Sequence, residues 1–360
     1  MFACRQLTLT HFRNYSFEQF NFNENIIGIH GKNGSGKTNL LDAIYYLCFT
    51  KGSFNRPDIQ SVKEGHIGFR IEGNFQKLDD AKKIICILRE NNRKEFLIND
   101  SAYQRFSDHI GKFPCIMIAP DDVSLITEGS EERRKFIDTL LSQLQHDYLE
   151  QLIAYNKILQ QRNSFLKFAF ERNEWDESLL EILNKQLTEK GNFIHERRRQ
   201  FLNNFLPSVL EQYESIASKG DRLVLEYDSQ ITGQSFEELL RQNFQRDLYL
   251  QRTGCGIHKD DLEIRLHETA FKNLASQGQR KSLLFALKLT AFETLKENKD
   301  FPPILLLDDV FEKLDEGRMQ NLLEYVCLKS DAQVFITDTH KERLQQAFMK
   351  VGAAYQLIGL

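Results

Sequence analysis

Proline and glycine are scarce in this chain. Six prolines and nineteen glycines over 360 residues are too few for a turn-rich β-barrel or a collagen-like repeat. No apolar run approaches the roughly 18 residues that a membrane-spanning helix needs. The longest are short, such as 114–119 and 304–307. Arg5, His11 and Arg13 interrupt the N-terminal stretch, which therefore lacks the apolar centre of a secretory leader. The six cysteines (Cys4, Cys48, Cys86, Cys115, Cys255 and Cys327) form no CxxC pair and no local zinc pattern. They read as reduced thiols, and the expectation is a cytoplasmic chain with no membrane contact. Neither sign of charge dominates: 47 Lys and Arg against 51 Asp and Glu leave a net −4. Bulk charge therefore gives no field for nucleic acid, and any DNA-binding face must be local.

Core material is plentiful. Hydrophobic residues make up 41% of the chain, with 28 phenylalanines. That is a globular composition, and the length suits two domains at roughly 150 residues each. Short strand-like segments dominate to about residue 120, at 26–30, 67–75, 83–88 and 114–119. Near Glu131 the period lengthens. Phe136, Leu140, Leu144, Tyr148, Leu152, Tyr155 and Leu159 recur every three or four residues and mark one helical face. Helical patterning continues, with breaks, to about Tyr213, and strands then alternate with helices to the end. The pattern predicts an α/β head, residues 1–127 and 222–360, interrupted by a helical arm, residues 128–221.

Gly31, Lys32, Asn33, Gly34, Ser35, Gly36, Lys37 and Thr38 match G-x-x-x-x-G-K-[ST] in full, between an apolar strand and an amphipathic helix. That context predicts a phosphate-binding loop. Its glycines let backbone N–H groups face the phosphates, and the helix N-terminus favours an anion. Lys37 would reach the β- and γ-phosphates, and the Thr38 hydroxyl would ligate Mg²⁺. A second motif strand should end in a carboxylate, and Ile304-Leu305-Leu306-Leu307-Asp308-Asp309 fits. Asp308 would hold Mg²⁺, and Asp309 would orient or deprotonate the attacking water. Read alone, these residues fit an acidic turn after a core strand equally well. The two motifs lie about 270 residues apart, so a shared nucleotide requires both ends of the chain in one head.

Lys272-Asn273-Leu274-Ala275-Ser276-Gln277-Gly278-Gln279 precedes a long helix and resembles the signature motif of ABC-type ATPases, usually LSGGQ. The S-Q-G-Q form followed by a basic pair resembles the RecF family. Other segments resemble it too: His11-Phe12-Arg13-Asn14-Tyr15, Pro120-Asp121-Asp122 with Arg133-Arg134-Lys135-Phe136, and His258-Lys259-Asp260-Asp261-Leu262. So does Asp308-Asp309-Val310-Phe311-Glu312-Lys313-Leu314-Asp315. The matches run in order to about residue 340.

The resemblance implies a P-loop ABC-type ATPase head, with β-sheets and flanking helices, that binds ATP and Mg²⁺. Two heads would sandwich the nucleotide as a homodimer. Ser276, Gln277, Gly278 and Gln279 of one subunit would then face the γ-phosphate held by the other's Lys37. On the residues alone, Ser276 reads as a helix N-cap. Asp315 would be the D-loop residue at the dimer seam. Arg13 and Asn14 would reach the nucleotide, while Tyr15 reads as packing. The implied role is a weak DNA-dependent ATPase that clamps single-stranded, gapped or junction DNA in recombinational repair. Replication maintenance and SOS induction come with that role, as do RecO and RecR as partners. Arg197, Arg198 and Arg199 form the best basic cluster of the arm for DNA, against the plainer reading of a solvated helix face. Lys32 and Arg56 are further phosphate or DNA candidates.

The sequence departs from the family at four places. Arg280-Lys281 stands where Gln-Arg is usual, and Gly256-Ile257-His258 lacks a proline. Pro120-Asp121-Asp122 occupies the place of a Gln-loop, and His340 falls a residue or two late for a switch histidine. A transporter ATPase subunit would carry both of the last two features and a smaller insertion. An SMC-type protein would need hundreds of residues of heptads. A small-molecule kinase has no use for Ser276–Gln279. A GTPase would need NKxD, whereas Asn184-Lys185-Gln186-Leu187 lacks the Asp.

Overall fold

A computed structural model describes residues 2–54, 56–78, 80–217, 221–312 and 316–360. In chain order the strands are β1 (Phe2–Thr10), β2 (Phe17–Asn21), β3 (Ile26–His30), β4 (Phe69–Lys77), β5 (Asp80–Leu88), β6 (Lys94–Ile98) and β7 (Ser101–Ala102). They continue as β8 (Cys115–Ile118), β9 (Leu223–Asp228), β10 (Asp261–Leu266), β11 (Thr269–Ala270), β12 (Ile304–Leu307), β13 (Val334–Asp338) and β14 (Tyr355–Gly359). The helices are α1 (Lys37–Phe49), α2 (Ser124–Thr127), α3 (Ser130–Leu144), α4 (His146–Arg172), α5 (Glu177–Ile216) and α6 (Phe236–Gln242). After them come α7 (Phe244–Leu250), α8 (Phe271–Leu274), α9 (Gln277–Asn298), α10 (Glu316–Glu324) and α11 (Lys341–Val351). No helix among the described residues is long and apolar enough to cross a membrane.

The chain forms two compact units, Met1–Asp122 with Leu284–Leu360, and Val123–Leu283. Both ends of the sequence thus build the first unit. It holds an antiparallel sheet, β2-β1-β4-β5-β6-β7, and a parallel sheet, β14-β3-β13-β12-β8. The parallel strands β12 and β8 are buried at every residue, as expected where helices cover both faces of a sheet. Helix α1 packs against strands of both sheets. Ten of its thirteen residues are buried, so it has apolar contacts nearly all round, as a core helix does. Leu40, Ile44 and Leu47 of α1 share one cluster with Leu7 and Ile71 of the antiparallel sheet and Ile29 and Leu306 of the parallel one. A side chain also joins the two sheets: Gln333 Nε2 donates to Cys4 O at 2.8 Å, and Cys4 N–H donates to Gln333 Oε1 at 2.7 Å. This pairing satisfies backbone groups at the point where β1 shifts register against β4, between Cys4 and Gln6.

In the second unit α4 and α5 form a long helical hairpin, of 27 and 40 residues. Asn173, in the left-handed conformation, ends α4, and the Asp176 side chain caps α5 by accepting from Leu179 N–H. The small sheet β11-β10-β9 belongs to this unit. Strand β9 packs on α5 and β10 on α3. Residues 222–283, read from the sequence as part of the head, therefore group with the arm helices.

Candidate nucleotide-binding site

The parallel sheet brings three strand ends to one edge. The order β3-β13-β12 puts β13 between the two motif strands. The carboxyl edge of a parallel sheet is where open α/β folds bind ligands. Gly31–Thr38 leave β3 there, Asp308 follows β12, and Thr337 lies near the end of β13.

Two glycines set the loop. Gly34 has φ +81° and Gly36 φ +112°, a region that side chains avoid. Lys37 is 5% exposed, and its Nζ donates to Gly31 O at 2.9 Å and Lys32 O at 3.2 Å, inside the loop it closes. Ser35 Oγ is buried without a hydrogen-bond partner. An orphaned hydroxyl inside a loop of positive-φ glycines suits a polyphosphate, whose oxygens would satisfy it.

Three contacts join the two motifs and Thr337. Thr38 Oγ1 donates to Asp308 Oδ2 at 2.8 Å, across 270 residues of sequence. Thr337 Oγ1 donates to Asp308 Oδ1 at 2.7 Å and accepts from Asp309 N–H at 2.9 Å. Burial raises the Asp308 carboxyl above its ordinary pKa, opposed by the Thr337 and Thr38 hydrogen bonds. The Thr38 hydroxyl and Asp308 carboxylate are the hard oxygen donors that Mg²⁺ takes, so the residues present fit that ion. Asp309 holds φ +46°, which aspartate tolerates better than most residues.

The two residues expected from the end of β1 diverge. Asn14 touches the loop: its Nδ2 donates to Ser35 O at 3.0 Å, and its Oδ1 accepts from Asn39 Nδ2 at 2.8 Å. Arg13 instead pairs with Asp42 on α1 at 2.8 Å, and Asp42 also accepts from Ser53 N–H and Oγ–H. Arg13 thus braces the middle of α1, and among the described residues no hydrogen bond or ion pair joins it to the phosphate loop. Tyr15 packs on Phe20 and donates to Gly36 O at 2.9 Å.

A Cβ on Gly36 would lie 2.6 Å from Asn14 Nδ2 and 2.8 Å from Tyr15 Oη, whereas one on Gly34 meets nothing within 4 Å. Gly36→Ala should therefore add displacement of Asn14 and Tyr15 to a backbone strain of about 1–3 kcal/mol. The expected loss of nucleotide affinity is at least roughly tenfold, and greater than for Gly34→Ala. Titration with a fluorescent ATP analogue measures both; equal losses would remove Asn14 and Tyr15 from the account.

The signature loop lies in the second unit. Ser276 Oγ accepts from Gln279 N–H at 3.2 Å, and Ser276 N–H donates to Gln279 Oε1 at 2.8 Å. This reciprocal pair is a capping box that starts α9. Ser276 and Gln277 are exposed, and Gly278 is partly so. Asp315 lies outside the described residues. In the Gln-loop position, Asp122 accepts from Ala119 N–H and pairs with Lys288 at 2.9 Å. His340 caps α11 through its backbone, its N–H donating to Asp338 Oδ1.

Burial divides the basic cluster of the arm. Arg198 is 1% exposed and binds Asp138 and Asp260 at 2.8 and 2.9 Å. A guanidinium so enclosed offers nothing to a phosphate backbone, which corrects its expected role. Arg197 pairs with Asp147 and Arg199 with Glu196, both near the surface. Lys32 is exposed on the phosphate loop, and Arg56 stacks over Phe54. Sequence reasoning missed Thr337, the hydroxyl that donates to the Asp308 carboxylate and accepts from the Asp309 backbone N–H. Its one signal is position, at the end of a buried strand.

Residues 3–357 match the RecF/RecN/SMC N-terminal domain family. A protein of Flavobacterium johnsoniae, "DNA replication and repair protein RecF", is 41% identical over 99% of both chains. Its namesake in Bacteroides thetaiotaomicron is 37% identical over 98% of this chain and 95% of its own. Among solved structures, the recombination mediator protein RecF with ATP, in the RecFOR pathway, has a TM-score of 0.87 at 29% identity. That match covers 94% of this chain and 92% of the other. The Smc head domain of Pyrococcus furiosus, at 14% identity and a TM-score of 0.56, covers 100% of this chain and 93% of its own and shares the fold.

Proposed function

The chain belongs to the RecF family of ABC-type ATPases, and from that premise we propose an ATP-dependent DNA clamp for recombinational repair of single-strand gaps. The observation that carries the reading is the Thr38–Asp308 contact, which joins the two nucleotide motifs from opposite ends of the chain. The relatives' names, DNA replication and repair protein, support the setting. Replication maintenance, SOS induction and association with RecO and RecR belong to the same proposal.

Each residue has a task in it. The phosphate loop holds ATP, with Lys37 against the β- and γ-phosphates and the Ser35 hydroxyl given a partner. Thr38 and Asp308 would hold Mg²⁺, which would supply charge neutralisation at the phosphates. Asp309 orients or deprotonates the attacking water. Ser276 and the N–H groups at the start of α9 act in trans, on the nucleotide of a second copy. The capping box uses Ser276 Oγ as an acceptor, so its O–H remains a donor for a phosphate oxygen. A helix N-terminus adds a favourable dipole. Binding of ATP thereby closes the dimer on DNA, and slow hydrolysis opens it.

Light scattering with and without ATP and Mg²⁺ tests this on Lys37→Met and Ser276→Arg. The wild type should dimerise only with ATP, and bind gapped DNA more tightly when it does. Both variants should stay monomeric, with dimer affinity down by about tenfold or more, or 1.4 kcal/mol. A Ser276→Arg chain that dimerises like wild type would reduce the signature to a helix cap, and a monomeric phosphotransferase would become the better reading.

A further inference from the structure

One hydrogen bond of the signature loop leads away from the nucleotide. The capping box uses Gln279 Oε1 for the Ser276 N–H, which leaves the amide NH₂ of Gln279 to be placed. It donates to Asp221 Oδ1 at 2.9 Å. The other carboxylate oxygen, Oδ2, accepts from Tyr213 Oη at 2.5 Å. Tyr213 is buried in the last turn of α5, the 40-residue helix of the arm. One carboxylate thus takes a donor from the end of the arm helix and a donor from the signature loop.

The chemistry fixes an orientation. An ionised carboxylate only accepts, so it can face only the NH₂ end of the Gln279 amide. The Oε1 end is then turned to the Ser276 N–H. A flipped amide would set its NH₂ against that N–H, two donors facing each other, and the capping box would open. Asp221 touches no substrate atom in this arrangement and acts through Gln279.

We propose that Asp221 is a positioning residue for the signature loop, which holds Ser276 ready for the second copy's nucleotide and couples that setting to the end of α5. This inference rests on the proposed trans role of Ser276, and its test separates the two. Asp221→Ala should bind a fluorescent ATP analogue within about twofold of wild type, because its own phosphate loop is intact. Its ATP-driven dimerisation should fall about tenfold or more, the equivalent of one lost hydrogen bond to a charged group. Trp175 emission should match wild type, and the unfolding midpoint should match that of Tyr213→Phe, which loses the same Tyr213–Asp221 hydrogen bond but keeps the one to Gln279.

Mixing chains supplies the decisive readout. In a heterodimer of Asp221→Ala with Lys37→Met, one site combines an intact phosphate loop with an intact signature. ATP turnover should recover to the level given by Ser276→Arg mixed with Lys37→Met. Recovery with Ser276→Arg but not with Asp221→Ala would overturn this inference alone. No recovery in either mixture would overturn the trans reading beneath it. A Tyr213→Phe chain that dimerises as poorly as Asp221→Ala would assign the defect to stability of the helical unit and also overturn the inference.

Discussion

Asp309→Asn is expected to lower ATP turnover by about 10²–10⁴-fold, the usual contribution of a positioned general base. The substitution is close to isosteric. Asn tolerates the left-handed backbone at least as well as Asp, so the φ of +46° is kept. The Asp309 N–H still reaches Thr337 Oγ1, because that bond belongs to the backbone. Asp308, Thr38 and the phosphate loop are untouched, and nucleotide affinity should stay within about twofold. The clamp reading gives this variant a second phenotype. A dimer that closes with ATP but hydrolyses it slowly should stay on gapped DNA far longer than wild type after excess unlabelled ATP is added. Turnover near wild type would remove Asp309 from the chemistry. Fast release despite slow turnover would uncouple hydrolysis from clamp opening.

The contrast with Asp308 supports the different roles that the proposed clamp gives these two adjacent carboxylates. Asp308 is 3% exposed, accepts two hydroxyl donors and is fixed between strands. Asp309 sits one residue further, past the strand end and partly exposed, where a water can reach it. The sequence already suggested this order, because a buried apolar strand must end before a charge can be solvated. The phosphate loop was legible for a similar reason: few loops need two positive-φ glycines directly before a Lys-Thr that opens a helix. Thr337 was not legible, since a lone threonine at a strand end carries no pattern of its own. Only the strand order, with β13 between β3 and β12, gives it a role.

The arm shows a different limit. The run Arg197-Arg198-Arg199 reads as a basic surface when charge alone is considered. Periodicity says otherwise for the middle residue. Leu187, Gly191, Ile194, Arg198, Leu202, Phe205, Val209 and Tyr213 recur at three- and four-residue intervals, and all are buried on α5. Arg198 lies on that stripe, flanked four residues away on each side by Ile194 and Leu202. On α4 the same holds for Arg162, between Ile158 and Leu166. An arginine inside an apolar stripe must find carboxylates. Those partners, Asp260 for Arg198 and Asp247 for Arg162, come from far along the chain and have no local signal.

Arg162→Met should therefore destabilise the helical unit by about 3–5 kcal/mol, the cost of leaving a buried charge without its partner. Both members of the Arg162–Asp247 pair are fully buried, with Nη1 and Oδ2 2.8 Å apart. Arg162 also donates to Thr253 Oγ1 and Asn184 Oδ1, so one substitution removes three contacts. Asp247 meanwhile accepts from Gly254 N–H at 2.9 Å through its other oxygen. That second bond makes the charge separable from the hydrogen bonding. Asn at 247 still has an oxygen for the Gly254 N–H but carries no charge to strand. Adding Asp247→Asn to Arg162→Met should recover more than about 1 kcal/mol, a coupling of the size expected for residues in one network. Trp175, the only tryptophan, lies in this unit against Phe244, so its fluorescence follows the transition during urea unfolding. A single-variant cost below about 1 kcal/mol would mean that water or rearrangement neutralises Asp247. A double variant no better than the single would place the loss in packing and in the Thr253 and Asn184 contacts, rather than in the stranded carboxylate.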